Sequence, residues 1–345
     1  MQPERDTDIE VRTGFARSGD LDIAYEDMGN PDHPAVLLIM GLGAQLLLWR
    51  KGFCDKLVEK GYRVIRFDNR DVGLSTKIEG RHSGAGLLPR MLRSYAGLRS
   101  EAVYTLEDMA DDAAALLDHL EIDQAHIVGG SMGGMIAQVF AARYQHRTKT
   151  LGVIFSSNNQ PLLPPPGPKQ LKAITTRPQD TSRAGVIANA VNVGRIIGSP
   201  GYPTPLDRAE ADAAESYDRS YYPVGVARHF GAILGSGSLR RYDEMITVPT
   251  VVIHGRADKL MRPSGGRAVA KAIRRARLVL FDGMGHDLPE PLWDDIAGEL
   301  AEYIEANKMS HVRGVPCHPR TQGKIECWHP TLKNRILLEN DFLPG

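Results

Sequence analysis

Short apolar runs alternate along the chain with stretches in which apolar residues recur every three or four positions. The runs are rich in Val, Ile and Leu with little polar alternation, which is typical of strands buried on both faces of a sheet. A hairpin is predicted before them, over residues 14–25. The predicted strands cover residues 35–40, 63–67, 125–128, 151–155, 248–253 and 277–281. Together with the intervening helical patterns they predict an α/β fold, with a mostly parallel central sheet flanked by helices.

The helical pattern is strongest over residues 105–120, where apolar side chains fall at i, i+3, i+4 and i+7 spacings. Thr105 and Asp108 are spaced as a capping box, so the helix is expected to begin there. A second amphipathic helix is predicted over residues 291–306.

About eighty residues between the two groups of strands have no strand pattern. This segment opens with PLLPPPGP at 161–168, which can continue neither a helix nor a central strand. Short helices are predicted at 184–197 and 206–221. We expect a helical cap subdomain over residues 158–240, inserted between a first core part, 1–157, and a second core part, 241–308, and lying over the strand ends where ligands bind in such sheets.

The strongest chemical motif is GGSMG at 129–133, a G-x-S-x-G pattern between a predicted strand and a predicted helix. That context is the one in which a nucleophile elbow presents a serine at the end of a sheet. The alternative is a glycine-rich turn in which Ser131 caps the helix. The motif and its context favour Ser131 as the nucleophile.

A serine nucleophile needs a base and an orienting carboxylate. Asp258 follows the strand that ends in VVIHG, and His286 follows the strand LVLF. Both residues stand at carboxyl ends of predicted strands, on the same sheet edge as Ser131, and in the order Ser, Asp, His. We therefore predict a catalytic triad of Ser131, Asp258 and His286. The nearby residues that could be mistaken for members of the triad are His254, Asp282 and Asp287.

An acyl-transfer intermediate also needs two backbone donors for its oxyanion. We expect one to be the amide of Met132, the residue after the nucleophile. The second is expected in the glycine-rich loop after the strand at 35–40, and the amide of Leu42 is the candidate. A plain glycine-rich turn is the alternative for this loop.

The motifs MGLGAQ at 40–45, FDNRDVGLS at 67–75, GGSMGG, HGRADKL and MGHDLP resemble those of the serine α/β-hydrolases. The pattern is most similar to esterases such as the aclacinomycin methylesterases, and it covers residues 15–305. One departure is Met40-Gly41, where many members have His-Gly. Ser131 stands where epoxide hydrolases and haloalkane dehalogenases of this fold have aspartate, which disfavours those activities. The DNRDVG segment at 68–73 resembles a structural loop of the family.

The end of the chain, residues 309–345, changes character. Residues 318–329 resemble the C-terminal part of the integrase-like core of insertion-sequence transposases, in which the residue matching Glu326 is one of three metal-binding carboxylates. The other two are missing, so no nuclease activity is expected. We interpret this tail as a readthrough fusion and expect it to be loosely packed or disordered. No standard zinc-finger spacing fits its candidate ligands, Cys317, His318, Cys327 and His329.

Composition narrows the functional classes. The 345 residues include 42 Lys and Arg and 42 Asp and Glu, a balance that argues against a nucleic-acid or anionic-membrane protein. Only three cysteines are present and the first 30 residues contain no apolar signal segment, so a cytoplasmic location is expected. The expected partners are a small-molecule ester and at most a second copy of the chain, without metal, organic cofactor, nucleic acid or membrane.

The sequence therefore predicts a serine carboxylesterase that forms an acyl-enzyme and acts on short-chain or methyl esters. One alternative is a cofactor-free perhydrolase or haloperoxidase with the same triad. Another, from a different class, is a non-catalytic ligand-binding homologue.

Overall fold

The computed structural model describes residues 9–80, 87–176 and 178–308. The chain divides into two units, Met1–Ile304 and Glu305–Gly345. The first contains the whole sheet described below. The predicted transposase-like tail at 309–345 lies outside the described residues.

Eight strands form a single sheet in the spatial order β1-β2-β4-β3-β5-β6-β7-β8. The hairpin of β1 and β2 is antiparallel and joins β4 in antiparallel register; the pairs from β4 through β8 are all parallel. The strands are β1 (Val11–Ser18), β2 (Leu21–Met28), β3 (Ala35–Ile39), β4 (Arg63–Phe67), β5 (Ala125–Gly130), β6 (Thr148–Ile154), β7 (Thr250–Gly255) and β8 (Arg277–Phe281). The predicted α/β architecture is confirmed.

Helices cover both faces of this sheet. They are α1 (Lys51–Glu59), α2 (Leu87–Tyr95), α3 (Leu106–His119), α4 (Met132–Arg143), α5 (Pro168–Thr175), α6 (Arg183–Ile197), α7 (Leu206–Arg219), α8 (Pro223–Ser236), α9 (Arg240–Asp243), α10 (Pro263–Ala272) and α11 (Trp293–Lys308). Thr105 and Asp108 form the predicted capping box at the start of α3.

Strand β3 shows how the two faces are built. All five of its residues are buried, as its continuous apolar sequence predicts. Because side chains alternate along a strand, Leu37 and Ile39 belong to the core cluster that includes residues of α3 and α4, whereas Val36 and Leu38 belong to the cluster that includes residues of α1 and α11. The carboxyl end of the strand then leads into the loop that contains Leu42.

The insertion between β6 and β7 contains α5 to α9. Helices α6 and α7 lie close to where the sequence predicts helices, but α5 and α8 were not predicted. Helix α8 contains several glycines, and a Cβ at Gly225 would lie only 2.0 Å from the carbonyl oxygen of Asp71. The close approach of α8 to the 68–73 loop therefore requires glycine, which weakens the helical pattern in the sequence.

The two ends of this insertion are tied together at its base. Asn158, just after β6, donates its side-chain amide to Asp243 Oδ2 at 2.8 Å, and its carbonyl accepts from the Leu239 amide at 2.8 Å. Both Asn158 and Asp243 are fully buried.

In the described parts of the chain, every helix is too short or too polar to cross a membrane.

Candidate active site

Ser131 occupies a strained turn between β5 and α4. Its backbone has φ 56° and ψ −122°, a region that side-chain-bearing residues rarely adopt. A Cβ at Gly129 would lie 2.1 Å from the carbonyl oxygen of Gly133, and one at Gly133 would lie 2.0 Å from that of Ile39. The small residues two before and two after the serine are therefore required by contacts of the turn itself and with β3.

Three side chains from three strand ends meet at this turn. Ser131 Oγ donates to His286 Nε2 at 2.9 Å, and His286 Nδ1 donates to Asp258 Oδ2 at 2.7 Å. Asp258 follows β7 and His286 follows β8. The sequence-predicted residues thus lie within hydrogen-bonding distance in the predicted order. This is the geometry in which an imidazole can take a proton from a serine while a carboxylate holds it.

The Asp258 carboxylate is buried, with 2% of the residue exposed. Burial alone would raise its pKa, but the charge and hydrogen bonds of His286 and His254 outweigh that effect and lower the pKa to about 2. Oδ1 accepts from the amides of Leu260 and Met261 at 2.8 and 2.9 Å. Asp258 is therefore held as an oriented anion.

The alternative residues named from the sequence occupy other positions. His254 is fully buried, donates from Nε2 to the carbonyl of Met261 at 2.5 Å, and has the same nitrogen 3.5 Å from Asp258 Oδ2. It lies behind the aspartate. Asp282 pairs with Arg256 at 2.8 Å at the surface.

Asp287 fixes the loop that contains His286. Its carboxylate accepts hydrogen bonds from the hydroxyl and, at 3.2 Å, the amide of Ser199, which follows α6. The same hydroxyl accepts from the Gly285 amide at 2.8 Å, and the His286 amide donates to the carbonyl of Ile197 at 2.9 Å. The insertion thus holds both sides of the candidate base, a role for Ser199 that the sequence did not indicate.

The loop after β3 lies directly against Ser131. A Cβ at Gly41 would lie 2.9 Å from Ser131 Cβ and 3.3 Å from its Oγ. Within the described part of the chain, neither the Leu42 amide nor the Met132 amide has a hydrogen-bond acceptor. Two free donors beside the serine hydroxyl are what an oxyanion site requires.

Buried polar residues of the 68–73 segment form hydrogen bonds with the loop after β3. Asn69 donates its side-chain amide to the carbonyl of Met40 at 2.8 Å, and Asp68 accepts from the Leu46 amide at 2.8 Å. Arg219 of α7 pairs with Asp68 at 2.7 Å. These contacts hold the 68–73 segment against the loop after β3.

A cavity of about 150 Å³ lies beside α7. Its walls include Gln45, Arg50 and Asp212 and none of the three residues that meet at the elbow. It is separate from the candidate active site.

The comparisons with known proteins agree with this architecture. Residues 34–290 match the family described as alpha/beta hydrolase fold. The rhodomycin D methylesterase DnrP of Streptomyces peucetius is 26% identical over 307 residues, covering 81% of this chain and 94% of that protein. The bifunctional esterase/perhydrolase DCH of Acinetobacter calcoaceticus is 22% identical, covering 85% of this chain and 100% of that one.

Among solved structures, the enol-lactonase from Burkholderia xenovorans LB400 superposes with a TM-score of 0.64. The two are 24% identical, and the match covers 85% of this chain and 100% of that one. At this identity the likeness shows the fold. Since the family match extends over well more than half of the sequence, the chain belongs to the α/β-hydrolase fold family.

Proposed function

We propose that this chain is a serine carboxylic-ester hydrolase that works through an acyl-enzyme. Its family and the esterase names of its relatives make it a hydrolase enzyme of the carboxylesterase type. The observation that carries the mechanism is the continuous hydrogen-bonded line from Ser131 through His286 to Asp258.

In the proposed first step, Ser131 Oγ attacks the ester carbonyl while its proton passes to His286 Nε2. The anionic oxygen of the tetrahedral intermediate accepts from the amides of Leu42 and Met132. The C–O bond to the alcohol then breaks, and the alcohol leaves with the proton from His286. Asp258 keeps the imidazole oriented and stabilises its positive charge.

In the second step, His286 takes a proton from water, and the resulting hydroxide attacks the acyl carbon. The bond to Ser131 Oγ breaks, Oγ regains a proton from His286, and the carboxylic acid is released. Every proton in this cycle moves through one imidazole, so the mechanism uses no metal or organic cofactor.

For the substrate we propose short-chain or methyl esters. The support is the similarity to a protein named as a methylesterase. We further propose that residues 158–240 form a cap over the site. The support is that residues 197–199 bind the His286 loop and that α8 contacts the loop containing Leu42.

The test is Ser131→Ala assayed with short-chain nitrophenyl esters and with methyl esters of aromatic acids. We expect kcat to fall by about 10³-fold or more, with unchanged thermal unfolding. Activity that survives the change would remove Ser131 from the mechanism. A wild-type chain that binds esters without cleaving them would instead favour the non-catalytic homologue.

A second candidate is perhydrolysis with the same three residues, in which peroxide replaces water as the acyl acceptor. It is favoured by the similarity to a protein named as an esterase/perhydrolase. Peroxide-dependent bromination of a dye, lost in Ser131→Ala, would support it.

A further inference from the structure

A fully buried histidine of the insertion binds the backbone of two core loops. His229 lies in α8, and none of it is exposed. The amide of Gly43 donates to its Nδ1 at 3.1 Å, and its Nε2 donates to the carbonyl of Arg70 at 2.7 Å. Because Nδ1 accepts a hydrogen bond, the ring is the neutral tautomer with its proton on Nε2.

The surroundings of His229 keep it neutral. Burial lowers its pKa to about 4, although the hydrogen bond to the Arg70 carbonyl and the charge of Asp71 oppose that effect. The ring also packs edge-on against Tyr104, with centroids 6.3 Å apart. A neutral ring is the form able to accept from the Gly43 amide.

Gly43 is the residue after Leu42, and its φ of +65° is one that favours glycine. Helix α8 contacts it a second time, because a Cβ at this position would lie 2.8 Å from the Val226 side chain. The hydrogen bond to His229 fixes the peptide plane that joins Leu42 to Gly43. The Leu42 amide belongs to the preceding peptide and is joined to that plane through only the two backbone torsions of Leu42, so the fixed plane restricts its orientation.

We infer that His229 is a positioning residue for the oxyanion hole. It acts from the insertion, through Gly43, on the amide of Leu42. The inference rests on the proposed function, since it assigns a task to His229 in stabilising the acyl-transfer intermediate. The hydrogen bond from Nε2 to the Arg70 carbonyl keeps the proton on Nε2, so Nδ1 remains able to accept from the Gly43 amide.

Two substitutions separate the two hydrogen bonds. In His229→Asn the side-chain amide takes the position of Nδ1, so its oxygen can accept from Gly43. In His229→Gln the amide takes the position of Nε2, so the bond to Arg70 is kept and the bond to Gly43 is lost. We expect His229→Asn to retain kcat within about threefold of wild type and His229→Gln to lose about tenfold to a hundredfold, with similar KM in both.

The kcat values are calculated per active site, and the concentration of active sites is measured by labelling Ser131 with a fluorophosphonate. Misfolded protein is not labelled and therefore does not lower the calculated kcat. Equal kcat in the two variants, or losses that simply follow their melting temperatures, would overturn the inference. A purely structural role moves stability without separating Asn from Gln in kcat.

Hydrogen–deuterium exchange of the peptide over residues 40–46 gives a readout that needs no activity. We expect faster exchange in His229→Gln than in His229→Asn, because only Gln frees the Gly43 amide. If the wild-type chain cleaves no ester but this difference is found, the proposed function fails while the hold of His229 on the loop stands. Equal exchange in both variants would refute the hold itself.

Discussion

Nδ1 of His286 donates to Oδ2 of Asp258 at 2.7 Å, and this pair is closed to solvent on the side of the aspartate. The pKa of Asp258 is lowered to about 2, because the charge and hydrogen bonds of His286 and His254 outweigh the effect of burial. Above about pH 4 the carboxylate is therefore always ionised in the folded chain, and its contribution to activity does not change with pH.

Asp258→Asn tests that relationship. An amide at this position can donate to Nδ1 and favour the wrong imidazole tautomer, so kcat should fall by about 10³- to 10⁴-fold while KM changes little. The measurement is steady-state ester hydrolysis at the pH optimum of each protein. An Asp258→Asn variant within about tenfold of wild type there would mean that Asp258 does not orient the imidazole.

Ser199→Ala should loosen the candidate base without touching it. The substitution removes the hydroxyl that bridges the Asp287 carboxylate and the Gly285 amide, leaving Asp287 buried with fewer partners. We expect a loss of about 1–3 kcal/mol in the free energy of unfolding, measured with urea, and a lower kcat. Ser238→Ala is the control, because among the described residues that hydroxyl accepts a single hydrogen bond, from the exposed Arg240 amide. An unchanged free energy of unfolding in Ser199→Ala would show that this hydrogen-bonded bridge does not stabilise the fold.

Asp243 makes the stability of the fold depend on pH. Burial raises its pKa to about 7, against the opposing hydrogen bond from Asn158 and with a small addition from Glu244. The unfolded chain therefore releases this proton first as pH rises, so the contribution of Asp243 to stability falls from about pH 4 to pH 7. Asp243→Asn has no such proton. The melting temperature of the variant, relative to that of wild type, should therefore rise as the pH increases from about 4 to about 7. Asp282→Asn, at an exposed surface pair, should show no such trend.

Two glycines should respond in opposite directions to alanine. Gly133→Ala places a Cβ 2.0 Å from the Ile39 carbonyl oxygen, so α4 or β3 must shift, and we expect a loss of about 3 kcal/mol or more. Gly298 lies inside α11 with no neighbouring atom within 4 Å of the added Cβ, so Gly298→Ala should gain about 0.5–1 kcal/mol. Urea unfolding measures both. Similar effects at the two positions would contradict the tight contact between the elbow and β3.

The sequence predicts the three residues at the elbow because each follows a strand. Parallel strands bring their carboxyl ends to one edge of the sheet, so residues that follow different strands lie close together even when they are far apart in the sequence. His229 and Ser199 could not be found in this way, since both hydrogen-bond partners of His229 and one partner of the Ser199 hydroxyl are backbone groups. Those partners have no side-chain signature and lie far away, Gly43 being 186 positions from His229.

The helix that contains His229 was missed for a related reason. The glycines that let α8 approach the Asp71 carbonyl are the residues that weaken its helical pattern. Where a helix packs this closely, the requirements of tertiary contact override local propensity. The strands had no such conflict: six of the eight follow from apolar runs in the sequence, and β1 and β2 follow from the hairpin predicted over residues 14–25.

The contacts of the insertion have a consequence for protein engineering. Residues 197–199 hold the His286 loop, and α8 holds the loop containing Leu42. A chimera that receives the insertion of another α/β-hydrolase would keep its sheet and its elbow serine, yet lose both supports at once. Transfer of substrate preference between relatives therefore requires the recipient loops to be exchanged together with the insertion.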